Sequence, residues 1–401
     1  MKIALNIEWI GARRGGAEKY AGTVARALID AGHEVHLFAR GVDSDEVPSG
    51  TPIHEIRISE VPGLGWSRAY RFAAASARAL ARESFDLIVG FNKTWYQDVY
   101  LAVAGAHPAA VECGLHRFRG ALRKAWHRLG KRLSLKQRLF QRIERRQFGP
   151  GARPQHIVAP SRFSAAHFRD LHGVPERRIS VIYNGVDRRA SDLDAAAARR
   201  EFRRRHGFAD DQTVLLFTAR NYALKGLEPL IEAFAFAAAS RPRAVLAVCG
   251  SRRDGAFRRQ AARSGIADRV RFLGFVDDVR AAFAGADAFV FPTFYDPCSL
   301  VVPEAMSAGL PVVTTRTNGA AELITPGVDG FLVDDAWDIE AWAAQLATLC
   351  DDAELRVRTG AAARRTAKSC TMQRRTAELT AVIEQLCAQR DGRPPPPAQA
   401  A

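Results

Sequence analysis

The stretch Phe291-Pro292-Thr293-Phe294-Tyr295-Asp296-Pro297-Cys298-Ser299-Leu300-Val301-Val302-Pro303-Glu304-Ala305-Met306-Ser307-Ala308-Gly309-Leu310-Pro311-Val312-Val313 reads as a strand end, a loop, a short helix, a glycine stop and the next strand. Ser299 is placed to cap the helix, because a serine hydroxyl accepts from backbone N–H groups that lack helical partners. Gly309 followed by Pro311 ends it. Pro303 falls in the first turn, where a missing N–H removes no helical bond. Asp296 then lies in the loop and Glu304 on the helix, eight residues apart. Both face the carboxyl end of a parallel strand, where open α/β sheets bind ligands. Two carboxylates there can accept hydrogen bonds from sugar hydroxyls.

Working outward, the same alternation continues on both sides. Thr213 to Thr218 predicts an apolar strand, followed by Ala219-Arg220-Asn221-Tyr222-Ala223-Leu224-Lys225-Gly226 and a helix from Leu227. Arg220 and Lys225 thus sit between a strand end and a helix start, where two cations and helix N–H groups suit a diphosphate. Further strands are predicted at Ala244 to Cys249, Arg269 to Leu273 and Asp287 to Phe291, with helices between; Gly250 and Ser251 end one of them. Asn318-Gly319 follows the opening stretch. Helices are predicted from Asp338 to Cys350, Ala353 to Lys368 and Gln373 to Arg390, and residues 391–401, with four successive prolines, predict a disordered tail.

The first half repeats the alternation. Lys2 to Ile7 predicts a strand, Gly11 to Glu18 a glycine-rich loop, and Tyr20, Val24, Leu28 and Ile29 a helix that stops at Gly32 before a strand from Glu34 to Ala39. Gly15 and Gly16 place backbone N–H groups at a helix start, an anion site. Strands are expected at Ile53 to Ile58, Asp86 to Phe91 and Tyr100 to Ala104, with a helix from Trp66 to Glu83. From Leu115 to Ile143, apolar residues recur at three- and four-residue spacing among Arg117, Arg119, Arg123, Lys124, Arg128, Lys131, Arg132, Lys136, Arg138 and Arg142, with no acid before Glu144. This predicts a basic amphipathic helix or helix pair, interruptible at Gly130, of the kind that lies on an anionic membrane. Arg123, Lys124, Trp126, Arg128, Lys131 and Arg132 are its candidate membrane contacts. Nucleic acid is the weaker partner, since no stacking aromatics on a sheet accompany the charge. After a strand at His156 to Ala159 and a helix capped by Ser161, Ile179 to Tyr183 leads into Asn184-Gly185-Val186-Asp187, whose Asn-Gly is a turn signal. Ser191 to Arg205 predicts a helix near the linker.

A chain of 401 residues, 47% of them hydrophobic, fits two ordinary domains with a core each. Six scattered cysteines with no Cys-x-x-Cys pair argue against a zinc or disulfide framework and for a reducing compartment. The opening apolar run is interrupted by Glu8 and is too short for a signal peptide or a membrane span. The formal charge of +15 is compatible with a nucleic-acid, membrane or acidic-substrate partner, and its concentration in residues 115–146 favours the membrane.

A carboxylate, seven residues, then Glu-Ala and a Gly-Leu-Pro-Val strand resembles the signature of glycosyltransferase family 4. Arg220, four residues, then Lys225-Gly226 resembles the family's diphosphate motif, Gly15-Gly16 followed by Glu18 its loop at the donor diphosphate and acceptor, and Asn184-Gly185-Val186-Asp187 the close of its first domain. The resemblance implies the GT-B architecture: two doubly wound Rossmann-like domains facing a central cleft. It places an N-terminal acceptor-side domain at 1–190 with the insertion 115–146, a nucleotide-sugar domain at 191–370, and a helix at 371–390 returning to the first domain. The implied donor set is Gly15, Gly16, Arg220, Lys225, Gly250, Asp296, Ser299, Leu300 and Glu304, with Glu304 on the ribose and Asp296 on the donor sugar. Asp296 departs from the family's usual glutamate. His107 stands where the family often carries a histidine beside the reacting sugar, and Phe275 to Asp278 near the base. The implied catalytic set is His107, Arg220, Lys225 and Asp296.

Gly90-Phe91-Asn92-Lys93-Thr94-Trp95-Tyr96-Gln97-Asp98-Val99-Tyr100 is most similar to the family's lipopolysaccharide core glucosyltransferases that act on heptose. That similarity implies a retaining hexosyltransferase moving glucose from UDP-glucose to a lipid-linked glycan. Such an enzyme needs no metal or other cofactor, and it is cytoplasmic, peripheral on the inner membrane face. Two alternatives are a mannosyl- or N-acetylglucosaminyltransferase of glycolipid, capsule or exopolysaccharide synthesis, and a non-enzymatic basic protein binding membrane or nucleic acid.

Overall fold

The computed structural model describes all residues except 12–15, 60–64, 92, 187–193, 277 and 390–401. Gly15, Asn92, Asp187, Asp277, the start of the helix expected from Ser191 and the proline-rich tail fall outside the described residues. Contacts divide the chain into two units, Met1–Tyr183 with Arg375–Ala401, and Asn184–Arg374.

The first unit is built on a seven-stranded sheet in the order Ile53–Glu55, Glu34–Ala39, Lys2–Asn6, Leu87–Phe91, Val99–Leu101, His156–Ala159, Ile179–Val181, every pair parallel. Counted along the chain, the order runs outward from the first strand and then reverses, which is the doubly wound topology. The central strands read as unbroken apolar runs because helices cover both faces. Ile3, Leu5, Val35, Leu37, Leu87 and Val89 form the core on one face, and Leu379, Ile383 and Cys387 of the last helix, Met372–Ala388, pack into it. Ala4, Phe38, Phe72, Leu80 and Ile88 form the core on the other.

The second unit has six parallel strands in the order Val270–Gly274, Ala244–Gly250, Thr213–Ala219, Ala288–Phe291, Val312–Thr315, Phe331–Val333. Here the order reverses between Thr213–Ala219 and Ala288–Phe291. The loops that follow these two strands carry Arg220, Lys225 and Asp296, so the candidate residues sit at the switch point where such sheets take ligands. Gly226, at φ +79, marks how closely the two loops approach: a Cβ there would lie 1.9 Å from the Pro292 carbonyl oxygen.

Several expected elements are trimmed or rebuilt. The strand expected to Ile58 ends at Glu55, the one expected from Tyr100 to Ala104 is Val99–Leu101, and the helix expected from Trp66 to Glu83 is Arg68–Leu80 behind a single 3₁₀ turn. Asn184-Gly185 forms no tight turn. A Cβ on Gly185 would lie 2.5 Å from the Met372 Cα, so the glycine serves a backbone crossing, and Val186 bridges Thr371 in parallel. Residues 107–148 form three helices, His107–Leu115, Ala121–Leu133 and Leu135–Phe148. The break falls at Ser134, whose backbone is extended, while Gly130 is helical. Leu115 and Ile143 are buried, but no residue of Ala121–Leu133 is.

Candidate active site

In the second unit the two switch-point loops are tied by charge. Lys225 Nζ donates to Asp296 Oδ2 at 2.6 Å and to the Tyr295 carbonyl at 2.9 Å. Both side chains are mostly buried, with 18% and 15% exposure. Asp296 Oδ1 accepts from the Cys298 N–H at 3.2 Å. An ammonium carries three donors and a carboxylate about four acceptor positions, so each keeps capacity for a ligand. Arg220 is exposed at the end of its strand.

Ser299 does not cap the helix, which runs from Val301 to Ser307 behind Leu300 with no side-chain cap. The buried Asn318 engages Ser299 instead: its Nδ2 donates to Ser299 Oγ at 2.9 Å and to Thr314 Oγ1 at 3.1 Å, and its Oδ1 accepts from the N–H of Ser299 and of Ala320. Gly319 N–H donates to the Asp296 carbonyl at 2.8 Å. Asn318 thereby fixes the Asp296 loop to the strand Val312–Thr315. It was missed as a site residue, although an amide beside glycine just after a β-run is the place to look for a loop anchor. Glu304, partly buried, stands in the first turn of the same helix, its negative charge favourable near the N-terminal dipole. Cys298 is buried, and burial pushes its thiol up to about 12, so it stays protonated. Gly250 has a packing reason for its identity: at φ +122, a Cβ would lie 2.0 Å from the Ala219 carbonyl oxygen.

The remaining candidates belong to the first unit. Gly16 opens the helix Gly16–Asp30. His107 opens the helix His107–Leu115; its Nε2 is buried and its ring lies edge-on to Phe140 at 5.2 Å. Burial, then the nearby Lys93 charge, lowers its pKa to about 4, so the imidazole is neutral at pH 7. Glu144, the lone acid in the basic run, is nearly inaccessible. It accepts from Lys93 Nζ at 2.9 Å and from the His107 N–H at 2.8 Å, with His172 Nε2 at 3.4 Å. Burial alone would raise its pKa, but His172, Lys93 and the His107 N–H outweigh burial and hold the carboxyl below the usual range. The loop after Leu87–Phe91 is locked further by Gln97 donating to Gln155 at 2.8 Å and by Arg146 lying 4.8 Å over the Trp95 ring.

The helix Ala121–Leu133 is amphipathic in reverse. Leu122, Trp126, Leu129 and Leu133 share one stripe and are 89%, 76%, 50% and 60% exposed. Lys124, His127 and Lys131, on the opposite stripe, are the more covered. Arg123 lies 5.3 Å over the Phe118 ring, Arg128 pairs with Glu112, and Arg132 is exposed. No helix among the described residues is long and apolar enough to cross a membrane.

Residues 14–189 match the family model Glycosyltransferase Family 4, and residues 198–366 match Glycosyl transferases group 1. A probable transglycosylase of Burkholderia thailandensis is 29% identical over 349 residues, covering 86% of this chain and 85% of that one. The lipopolysaccharide glucosyltransferase WaaG of Escherichia coli is 25% identical over 331 residues, covering 81% of this chain and 83% of its own. A crystal structure of WaaG superposes with a TM-score of 0.79 at 22% identity, over 96% of this chain and 99% of that one, which agrees with the two doubly wound units described above.

Proposed function

The chain is a glycosyltransferase of the GT-B fold, a Glycosyltransferase Family 4 part followed by a group 1 part, and we propose that it transfers glucose from UDP-glucose, with retention of configuration, to a heptose of a lipid-linked lipopolysaccharide core. The observation that carries the reading is the Lys225–Asp296 pair, 2.6 Å apart at the switch point of the second sheet. Lys225 spends two of its three N–H donors on Asp296 and Tyr295; the third, with the Arg220 guanidinium, meets the donor diphosphate. Asp296 keeps acceptor positions for a sugar hydroxyl. Glu304 accepts from the ribose hydroxyls, and Asn318 holds the loop that sets both distances.

The step follows from those roles. The bond from the anomeric carbon to the diphosphate oxygen breaks and negative charge grows on the leaving oxygen, where Lys225 and Arg220 neutralise it. The acceptor oxygen bonds to the same face of the sugar, and its proton passes to the leaving diphosphate oxygen. This route retains configuration and requires no enzymic nucleophile. The acceptor belongs to the first unit, where His107 is a neutral imidazole.

The lipid anchor of the acceptor fits the helix Ala121–Leu133. A soluble core-packed helix turns its apolar stripe inward; this one turns Leu122, Trp126, Leu129 and Leu133 outward, with Arg123, Arg128 and Arg132 also at the surface. That arrangement suits the inner face of the cytoplasmic membrane, apolar side chains in the acyl boundary and cations on anionic headgroups. The name of the WaaG relative supports the substrate class. Asp296 stands where the family usually carries the longer glutamate, so a second reading keeps a mannosyl or N-acetylglucosaminyl donor. Incubation with UDP-glucose, UDP-N-acetylglucosamine and GDP-mannose, each with heptose-terminated core acceptors, separates the two. Transfer confined to UDP-glucose supports the first reading, and transfer from another donor replaces it.

A further inference from the structure

The edge of the first sheet brings together groups that lie 18 residues apart in sequence. His36 is in Glu34–Ala39 and His54 in the edge strand Ile53–Glu55. Parallel pairing sets His54 opposite Phe38, and because side chains alternate along a strand, His36, Phe38 and His54 share one face. His36 Nδ1 and His54 Nε2 stand 2.9 Å apart. The other nitrogen of each ring faces a carboxylate: His36 Nε2 is 2.7 Å from Glu34 Oε1, and His54 Nδ1 is 3.5 Å from Glu83 Oε1. The Glu34 carboxylate accepts from His36 Nε2–H, which leaves Nδ1 as that ring's lone-pair nitrogen. The His36 Nδ1 lone pair therefore points at His54 Nε2, and the 2.9 Å gap is filled by a proton on His54 in the metal-free protein or by a cation bound to both nitrogens.

We propose that this is a site for a divalent transition-metal ion of the zinc class. His36 Nδ1, His54 Nε2 and a Glu83 oxygen are its ligands, and Glu34 orients His36. One donor atom from each of His36, His54 and Glu83 lies within 4.8 Å of the other two. Imidazole nitrogens about 2.1 Å from a tetrahedral zinc stand roughly 3.3 Å apart, so the observed gap opens by only a few tenths of an ångström. Three protein ligands leave the fourth position to water.

The rings are braced by a hydrophobic shell: His54 stacks on Phe38 at 4.3 Å, and Phe85 meets His36 edge-on at 5.4 Å. His36 is buried, whereas the side chains of His54 and Glu83 are 29% and 36% exposed, which gives the ion a way in. Lys2 Nζ lies 3.3 Å from Glu83 Oε2, leaving Oε1 for the metal. The ion would tie the edge strand and the segment after Arg68–Leu80 to the sheet, at a place distinct from the donor residues of the second unit.

The test uses the full-length chain without a histidine tag. It is loaded with Co²⁺, then with Zn²⁺, and freed of excess ion by gel filtration. The expected result is one cobalt per chain with visible d–d absorption that zinc abolishes. H54Q and E83Q should each lose that absorption and retain no stoichiometric metal, while their metal-free unfolding temperatures match that of the metal-free parent. E34Q should weaken retention about 10- to 100-fold, as loss of an orienting carboxylate does. Absence of stoichiometric cobalt, or retention unchanged in both ligand variants, overturns the site. So does an NMR titration in which His36 and His54 share one proton and zinc shifts neither ring, since a proton is then the centre between them.

Discussion

Replacing Lys225 by methionine removes the charge and keeps the stem. In the ligand-free protein it strips Asp296 of its cation, leaving Oδ2 with no other hydrogen bond and Oδ1 with the Cys298 N–H alone. Breaking a buried pair from one side costs about 3–5 kcal/mol. With 15–18% of each side chain still reaching solvent, water recovers part of that, and about 2 kcal/mol of lost stability is expected. D296N should cost a similar amount, because it removes the countercharge of the mostly buried ammonium and leaves one amide oxygen where Lys225 and the Cys298 N–H now have a carboxylate oxygen each. The double variant K225M/D296N should lose less than the sum, with a coupling of about 1–2 kcal/mol. Turnover should respond differently. Lys225 faces charge that grows in the transition state, so K225M should lose about 100- to 1,000-fold in kcat, equivalent to about 3–4 kcal/mol. D296N should keep UDP affinity while losing rate and donor-sugar discrimination. The assays are urea unfolding for the cycle, UDP release for turnover and calorimetric titration with UDP. Turnover of K225M within tenfold of the parent, or additive stability losses, would refute the assigned role of the pair.

Glu304→Gln keeps shape and loses a charge-assisted acceptor; UDP binding should weaken by about 1.5–3 kcal/mol, and unchanged calorimetric affinity removes the ribose assignment. Changing Arg123, Lys124, Arg128, Lys131 and Arg132 together to glutamine should release the protein from anionic vesicles in flotation, and flotation with neutral vesicles equal to that with anionic ones contradicts the electrostatic part. That part should fade as the Debye length falls from about 10 Å at 0.1 M salt to about 3 Å at 1 M. For His107 the folded pKa lies near 4, below its unfolded value near 6.5. Its contribution is therefore present above pH 6.5 and lost as pH falls through 4, roughly 3 kcal/mol when fully gone. The acid-induced loss of stability between those values should be smaller in H107N, and an identical profile would show that the ring is not buried neutral.

The alternation of apolar strands and helices made both doubly wound sheets legible, and Arg220, Lys225 and Asp296 could be placed at strand ends from the residues alone, whereas the strand order that makes those ends the switch point could not. What stayed hidden were pairings across the chain. Nothing local says that Lys225 is bonded to Asp296, that Asn318 holds Ser299, or that the acid at Glu144 is buried under Lys93 and the start of the His107 helix. Asn184-Gly185 carried a turn signal, but the crossing of Met372 against Gly185 outweighs it, since only that packing says why a side chain is excluded. The basic run showed its helical period, yet not which face turns outward. Periodicity gives a stripe, and only the neighbours decide whether Leu122, Trp126, Leu129 and Leu133 are covered.

The most direct test of the proposed reaction is proton NMR of the first product formed from UDP-glucose and a heptose-terminated core acceptor, read at the new anomeric position. The predicted result is transfer of glucose with the α configuration of the donor, abolished by K225M. A β-linked product, or turnover of UDP-glucose with no glycosylated acceptor while another nucleotide sugar is transferred, would contradict it.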